Sequence, residues 1–170
     1  YELQQLFICQ EILRPDERDK IVEVSIELPK QNVFLLTKRV YEEVAYREGT
    51  EGVIATAKRK QLSLQNLALP ENPLVLVIEG VEKPGNLGAM LRTCDAAGVD
   101  AVIICDPKTD AYNPNVIRSS IGTLFTNQVA VCDTRDAIEY LHSKGITTYA
   151  AELGATEYHF QKNFKKGTAI

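Results

Sequence analysis

Residues 74–98 read LVLVIEGVEKPGNLGAMLRTCDAAG. Leu74 to Ile78 is an unbroken apolar run, the pattern of a strand buried on both faces. A loop rich in glycine and proline follows at 80–88. Leu87 to Ala97 has helical spacing, and Gly98 stands just past the helix end, where a left-handed backbone is common. Strand, loop and helix in that order open a βαβ unit, and the rhythm continues downstream. Ala101 to Cys105 is a second buried strand, Asn113 to Ser120 a helix with Pro114 in its first turn, and Gln128 to Cys132 a third strand. Thr134 is placed to cap a helix running to Lys144 and closed by Gly145. Ile146 to Ala151 is a fourth strand, and Thr168 to Ile170 resembles the opening of another. Strands alternating with helices predict an α/β fold with a parallel sheet.

Upstream the rhythm differs. The run LFIC at 6–9 is a short strand candidate, and 14–20 is a charged turn containing Pro15. Ile21 to Ile26 alternates apolar and polar residues, which predicts a half-buried strand. Asn32 to Leu36 is a further apolar run, Lys38 to Arg47 is helical, 48–52 is a turn, and Val53 to Ala57 is a strand that runs into Lys58-Arg59-Lys60. NLALPENP at 66–73 has two prolines and no periodicity, the signature of a linker. The expected organisation is a small N-terminal α/β domain over 1–65, a linker over 66–73 and a parallel-sheet domain over 74–170.

The 170 residues are 45% hydrophobic and 25% charged, an ordinary globular composition that can bury a core without disulfides or metals. No apolar run approaches a membrane span, and Tyr1 to Gln10 lack the pattern of a signal peptide. The chain starts at Tyr1 rather than Met and stops in what reads as a strand, so it is expected to be an internal piece of a longer protein. The four cysteines form no CxxC pair and there are two histidines, so no metal site is expected; reduced thiols in a cytoplasmic protein fit the pattern. The net charge of −4 disfavours nucleic-acid binding by charge alone and leaves local patches to decide: 58–60, and Lys162 with Lys165-Lys166.

Ligands gather at the carboxyl ends of strands in an open parallel sheet, and the loop after Ile78 lies there. It contains neither GK[ST] nor GxGxxG, which excludes a triphosphate-binding loop and disfavours a dinucleotide site, although Asp106 ends the next strand. Gly85 and Gly88 permit a tight turn or a close backbone approach. Asn86 is placed to cap the helix, and Arg92 to pair with Asp95 one turn on.

The whole segment resembles the first motif of the SpoU-type RNA 2′-O-ribose methyltransferases of the SPOUT superfamily. That motif is a hydrophobic strand, an acidic residue, then Pro-Gly-Asn-x-Gly-x-x-x-Arg-Thr, small residues and Gly. NPNVIRSSIGTLF at 113–125 resembles a second family segment, Arg-x-Ser-x-Gly, with Arg118, Ser120 and Gly122 on its positions. Glu51 to Ala55 resembles the last strand of the family's N-terminal substrate-binding domain.

The resemblance implies a Rossmann-like α/β-knot domain that methylates a ribose 2′-hydroxyl of rRNA or tRNA with S-adenosylmethionine. Arg92 falls on the catalytic arginine. As a guanidinium it stays protonated, so it suits holding a phosphate or a developing alkoxide better than acting as a base. Asn86 would orient Arg92 or the ribose, with Glu79, Gly85, Gly88 and Ser120 in support. Lys58, Arg59, Lys60 and Arg118 are the candidates for RNA contact. The donor-binding motifs, a glycine-rich loop and a Ser-Leu-Asn loop in a C-terminal knot, are expected beyond Ile170, so the 170 residues alone are expected to bind the donor weakly and to be inactive. The resemblance also implies a homodimer. The alternatives are a non-catalytic RNA-binding protein of the same fold and a dinucleotide-binding oxidoreductase domain.

Overall fold

The computed structural model describes residues 1–46, 49 and 51–170, so the helix end expected at Arg47 and positions 48 and 50 of the turn expected at 48–52 lie outside the described residues. The chain divides into two compact units, Tyr1–Lys60 and Gln61–Ile170.

The first unit holds a three-stranded sheet in the order β2-β1-β3, built from β1 (Glu2–Ile8), β2 (Val33–Leu35) and β3 (Val53–Lys58). β1 runs parallel to β2 and antiparallel to β3. Alternation along β1 turns Leu6 and Ile8 into a small core with Leu13, Ile21, Leu28, Val33 and Val53. On the other face Phe7 stacks on Phe34, with ring centroids 4.9 Å apart. Helix α2 (Lys38–Val44) buries Tyr41, whose hydroxyl donates to the Val53 carbonyl at 3.3 Å.

The strand expected at 21–26 is instead the helix α1 (Arg18–Ile26). Its lead-in is a 3-10 turn at Pro15–Glu17, where proline presets φ and Asp16 and Glu17 put negative charge at a helix start. Six residues of mixed apolar and polar type fit either period, and this start selects the helix. Ile21 faces the core, while Val22 and Ile26 remain exposed.

The second unit is a five-stranded sheet in the order β6-β5-β4-β8-β7, with every pair parallel. Its strands are β4 (Leu74–Glu79), β5 (Ala101–Cys105), β6 (Val129–Cys132), β7 (Thr147–Thr148) and β8 (Thr168–Ala169). β5 is buried at every position, as its apolar run predicts. Helices α3 (Pro84–Ala97), α4 (Pro114–Ser120) and α5 (Thr123–Thr126) share a core with Ile78, Val102 and Ile104 on one face. Helix α6 (Thr134–Ser143) packs with Val75, Ile103 and Cys105 on the other.

β7 is shorter than the strand expected at 146–151, because only Thr147 and Thr148 find partners on β8. The stretch expected to be a linker, 66–73, and residues 61–65 before it, expected in the first domain, belong to the second unit. Leu64 is buried beside Leu67 and Leu69, Val131 N–H donates to the Leu62 carbonyl at 2.9 Å, and the Gln128 side chain bonds both N–H and carbonyl of Ala68. Prolines suppress any periodic signal there, but leucines in an extended segment can still cover a sheet.

Candidate active site

The chain reaches β4, turns to β5 and β6 on one side, then crosses to β7 and β8 on the other. The strand order therefore reverses at β4, and the crevice at its carboxyl end is where such sheets take ligands. A cavity of about 520 Å³ lies there, within the usual range for small-molecule sites. Leu76, Ile138, Leu141 and Ala151 give it apolar walls, Ile170 forms part of its rim, and Glu79 is its one charged lining residue.

At the same edge, Asp106 follows β5 with φ +44°, and its carboxylate meets the start of α6. Its Oδ2 accepts from the Thr134 N–H at 3.1 Å and lies 2.5 Å from Thr134 Oγ1, which is also 3.0 Å from Glu79 Oε1. These hydrogen bonds hold the Asp106 carboxyl below its ordinary pKa. Thr134 is thus the first helical residue rather than the cap, which is Asp133, and Glu79 faces Thr134. Burial pushes the Cys105 thiol up to about 12 and raises Cys132 as well, so neither offers a thiolate at neutral pH. Among the described residues no three His, Cys, Asp or Glu side chains cluster as metal ligands would.

Residues 80–83 lead from β4 into α3. Pro84 is the first helical residue and Lys83 the cap, so Asn86 is not the cap expected from sequence; its own N–H donates to the Lys83 carbonyl at 3.0 Å. Gly98 ends the helix at φ +66°, as expected. Asn86 and Arg92 are both exposed. Six residues apart, they sit about 120° around the helix axis and about 9 Å along it.

Arg92 does not take up the expected pairing with Asp95. Its Nη1 donates to the Ser119 carbonyl at 2.5 Å, in the last turn of α4, where helix carbonyls lack partners. Asp95 instead accepts from the Thr126 hydroxyl at 3.2 Å. Gly88 makes the approach of α4 possible. A Cβ there would lie 2.0 Å from Ser119 Oγ and 2.7 Å from the Ser120 nitrogen. The Ser119 hydroxyl is absorbed by the Asn115 carbonyl at 2.6 Å. Gly85 has open space around its Cβ position and no positive φ, so neither turn nor packing requires glycine there.

Ser120 is fully buried, with its hydroxyl donating to the Ile117 carbonyl at 2.9 Å. Arg118 is exposed in the last turn of α4, and Gly122 begins α5 at φ +87°. The site thus brings together Arg92, Gly88 and the end of α4. Asn86 stays on another side of α3, and Glu79 lies with Asp106 and Thr134. Ser119, the residue in contact with both Gly88 and Arg92, was not singled out from sequence; a glycine inside a helix was the available sign of a close neighbour. In the first unit, Lys58 Nζ lies 3.7 Å from Glu2, and Lys60 Nζ sits 4.6 Å from the centre of the Tyr1 ring.

Residues 73–170 match the SpoU rRNA Methylase family. The chain belongs to that family. It is 39% identical over 90 residues to the 23S rRNA (guanosine(2553)-2′-O)-methyltransferase RlmP of Bacillus subtilis, covering 50% of this chain and 36% of that protein. It is 31% identical over 172 aligned residues to the 23S rRNA (guanosine-2′-O-)-methyltransferase RlmB of Vibrio vulnificus, covering 96% of this chain and 70% of that protein. The fold matches the crystal structure of an rRNA methyltransferase from Sinorhizobium meliloti with a TM-score of 0.85 at 20% identity, over 99% of this chain and 62% of that one. A crystal structure of an RNA 2′-O ribose methyltransferase matches with a TM-score of 0.76 at 27% identity, over 99% and 64%. The chain therefore spans about a third of the RlmP length and just under two thirds of these solved chains.

Proposed function

We propose that the protein carrying this chain is an enzyme that methylates a ribose 2′-hydroxyl of ribosomal RNA, with S-adenosylmethionine as the donor. The observation that carries this reading is the docking of α3 on α4 through Gly88, which leaves Arg92 exposed yet held by one hydrogen bond. One of the five guanidinium N–H groups is spent on Ser119, and the others remain to meet an RNA phosphate or a developing alkoxide. The choice of ribosomal over transfer RNA rests on the RlmB relative, which aligns along both units. The first unit is accordingly read as the substrate-binding domain, with Lys58, Arg59 and Lys60 on its RNA side and Arg118 beside the reacting nucleotide.

The crevice beside β4 would hold the donor, with Leu76, Ile138 and Leu141 against its apolar parts and the Glu79 carboxylate available to its positive charge. When bound there, S-adenosylmethionine supplies an electrophilic methyl carbon. The chain's own contribution is to position the hydroxyl and stabilise negative charge on its oxygen as the proton leaves. Asn86, exposed in the first turn of α3, is read as a hydrogen-bond partner of the ribose.

The crevice is walled by α6 on one face of the sheet, whereas Arg92 lies with α3 and α4 on the other. A homodimer resolves this separation: the arginine of one subunit serves the crevice of its partner. Among the described residues no helix is long and apolar enough to cross a membrane, and a cytoplasmic location suits an enzyme acting on ribosomal RNA.

Transfer of labelled methyl from S-adenosylmethionine to ribosomal RNA tests the reading in the full-length protein. The label is expected on a 2′-oxygen, and Arg92→Ala is expected to lower the rate by about 100-fold or more with folding intact. Wild-type protein that methylates only a base, or an Arg92→Ala protein of unchanged rate, refutes it.

A further inference from the structure

The crossover from β7 to β8, residues 149–167, carries an aromatic and basic surface that the reaction described above does not use. A 3-10 turn, His159–Gln161, organises it. The Gln161 side chain accepts from the Tyr158 N–H at 2.7 Å, and the Gln161 N–H donates to the Tyr158 carbonyl at 3.0 Å. Locked in this way, the turn stacks the rings of Tyr158 and Phe160 with an interplanar angle of 5° and centroids 5.3 Å apart. Both residues are open to solvent, at 67% and 72%. Stacked on each other, the two rings form one contiguous exposed apolar surface, and such patches mark interaction sites.

The surroundings point to the partner's chemistry. Lys165 and Lys166 are exposed just beyond the turn, and Lys162 pairs with Glu157 at its flank. Tyr149 and Phe164 meet edge to face at 5.2 Å and anchor the base of the crossover. Flat apolar rings beside lysines are the surface on which single-stranded nucleic acid stacks its bases and seats its phosphates. The turn borders a cavity of about 630 Å³ that shares Tyr149, Ala150, Ala151 and Ile170 with the crevice beside β4. Nucleotides stacked on the rings would therefore flank the proposed site of methyl transfer.

We infer that Tyr158 and Phe160 form a base-stacking platform for unpaired RNA next to the reacting ribose, with Lys165 and Lys166 on its phosphates. The inference rests on the proposed RNA methylation and names a surface that would present the strand to it.

The test compares the affinity of the full-length protein and its variants for a labelled single-stranded RNA. Tyr158→Ala with Phe160→Ala is expected to weaken binding by about tenfold or more, the loss expected for one or two stacked bases. Tyr158→Phe with Phe160→Tyr, which keeps both rings, is expected to bind as wild type. Lys165→Ala with Lys166→Ala is expected to reduce the slope of log affinity against log salt by about 0.7 per lysine. Unchanged affinity in the double alanine variant overturns the inference, whether or not its oligomeric state changes. So does a wild-type protein that binds no single-stranded RNA. Wild-type protein that binds RNA and transfers no methyl refutes the methyltransferase reading instead, while the affinities still decide the platform.

Discussion

Asp106 illustrates how one residue can serve the fold at a place where a ligand site is expected. Its carboxylate caps α6 across the strand ends, accepting from both the backbone and the side chain of Thr134. Because the folded state holds this carboxyl below its ordinary pKa, the ionised form favours folding. The contribution is full above the ordinary carboxylate pKa and is lost as pH falls through the lower folded value. Asp106→Asn is expected to flatten that part of the acid limb in urea midpoints measured from pH 5 to pH 2, and an unchanged limb would show that Thr134 does not sense the charge. Ile121 is a second instructive residue. A β-branched side chain at φ +52° is strained, and this one is 76% exposed, so it gains little from packing. Ile121→Gly is expected to stabilise the protein by about 1 kcal/mol in chemical denaturation, if the strain has no use. Loss of RNA binding in the stabilised variant would instead give the exposed isoleucine a role at the substrate surface.

Between elements, the α3–α4 contact is the most constrained feature. Gly88→Ala would place a methyl against Ser119 Oγ and the Ser120 nitrogen, and the second atom belongs to the backbone and cannot swing away. The expected cost is about 1–3 kcal/mol, together with loss of the Arg92 hydrogen bond to Ser119. Ser119→Ala in the same protein is expected to recover only part, because the backbone clash remains; urea titration of the two variants separates the terms. Elements also show where sequence reading succeeds and fails. The unbroken runs of β4 and β5 and the glycine at 98 were legible, since burial on both faces and a left-handed helix end each demand particular residue types. Helix α1 reads as a strand because its last six residues fit either period. The start of α6 is not legible locally, because the acceptor of its first N–H is Asp106 at the end of another strand.

For the whole molecule, the separation of Arg92 from the crevice leads to the strongest prediction. Ala151→Trp, which fills the crevice, and Arg92→Ala are each expected to abolish methyl transfer. Mixing the two proteins and allowing subunits to exchange is expected to restore activity in about a quarter of the sites, because each mixed dimer keeps one intact pair. No recovery on mixing would show that arginine and crevice act within one subunit.

The sequence by itself determined the local chemistry: the buried strands, Gly88 and Arg92 on one helix, the glycine that ends it, and the family resemblance they carry. These follow from neighbours along the chain, whose spacing is read directly. Only the tertiary structure decided that Arg92 turns to Ser119 rather than Asp95, that Glu79 faces Thr134, and that residues 62–69 cover the second sheet. It also brought residues 149–151 of the β7–β8 crossover beside Glu79 and Ile138 to line the crevice. Each of these depends on which distant segments meet, and that is set by the packing of whole elements rather than by the order of residues within one.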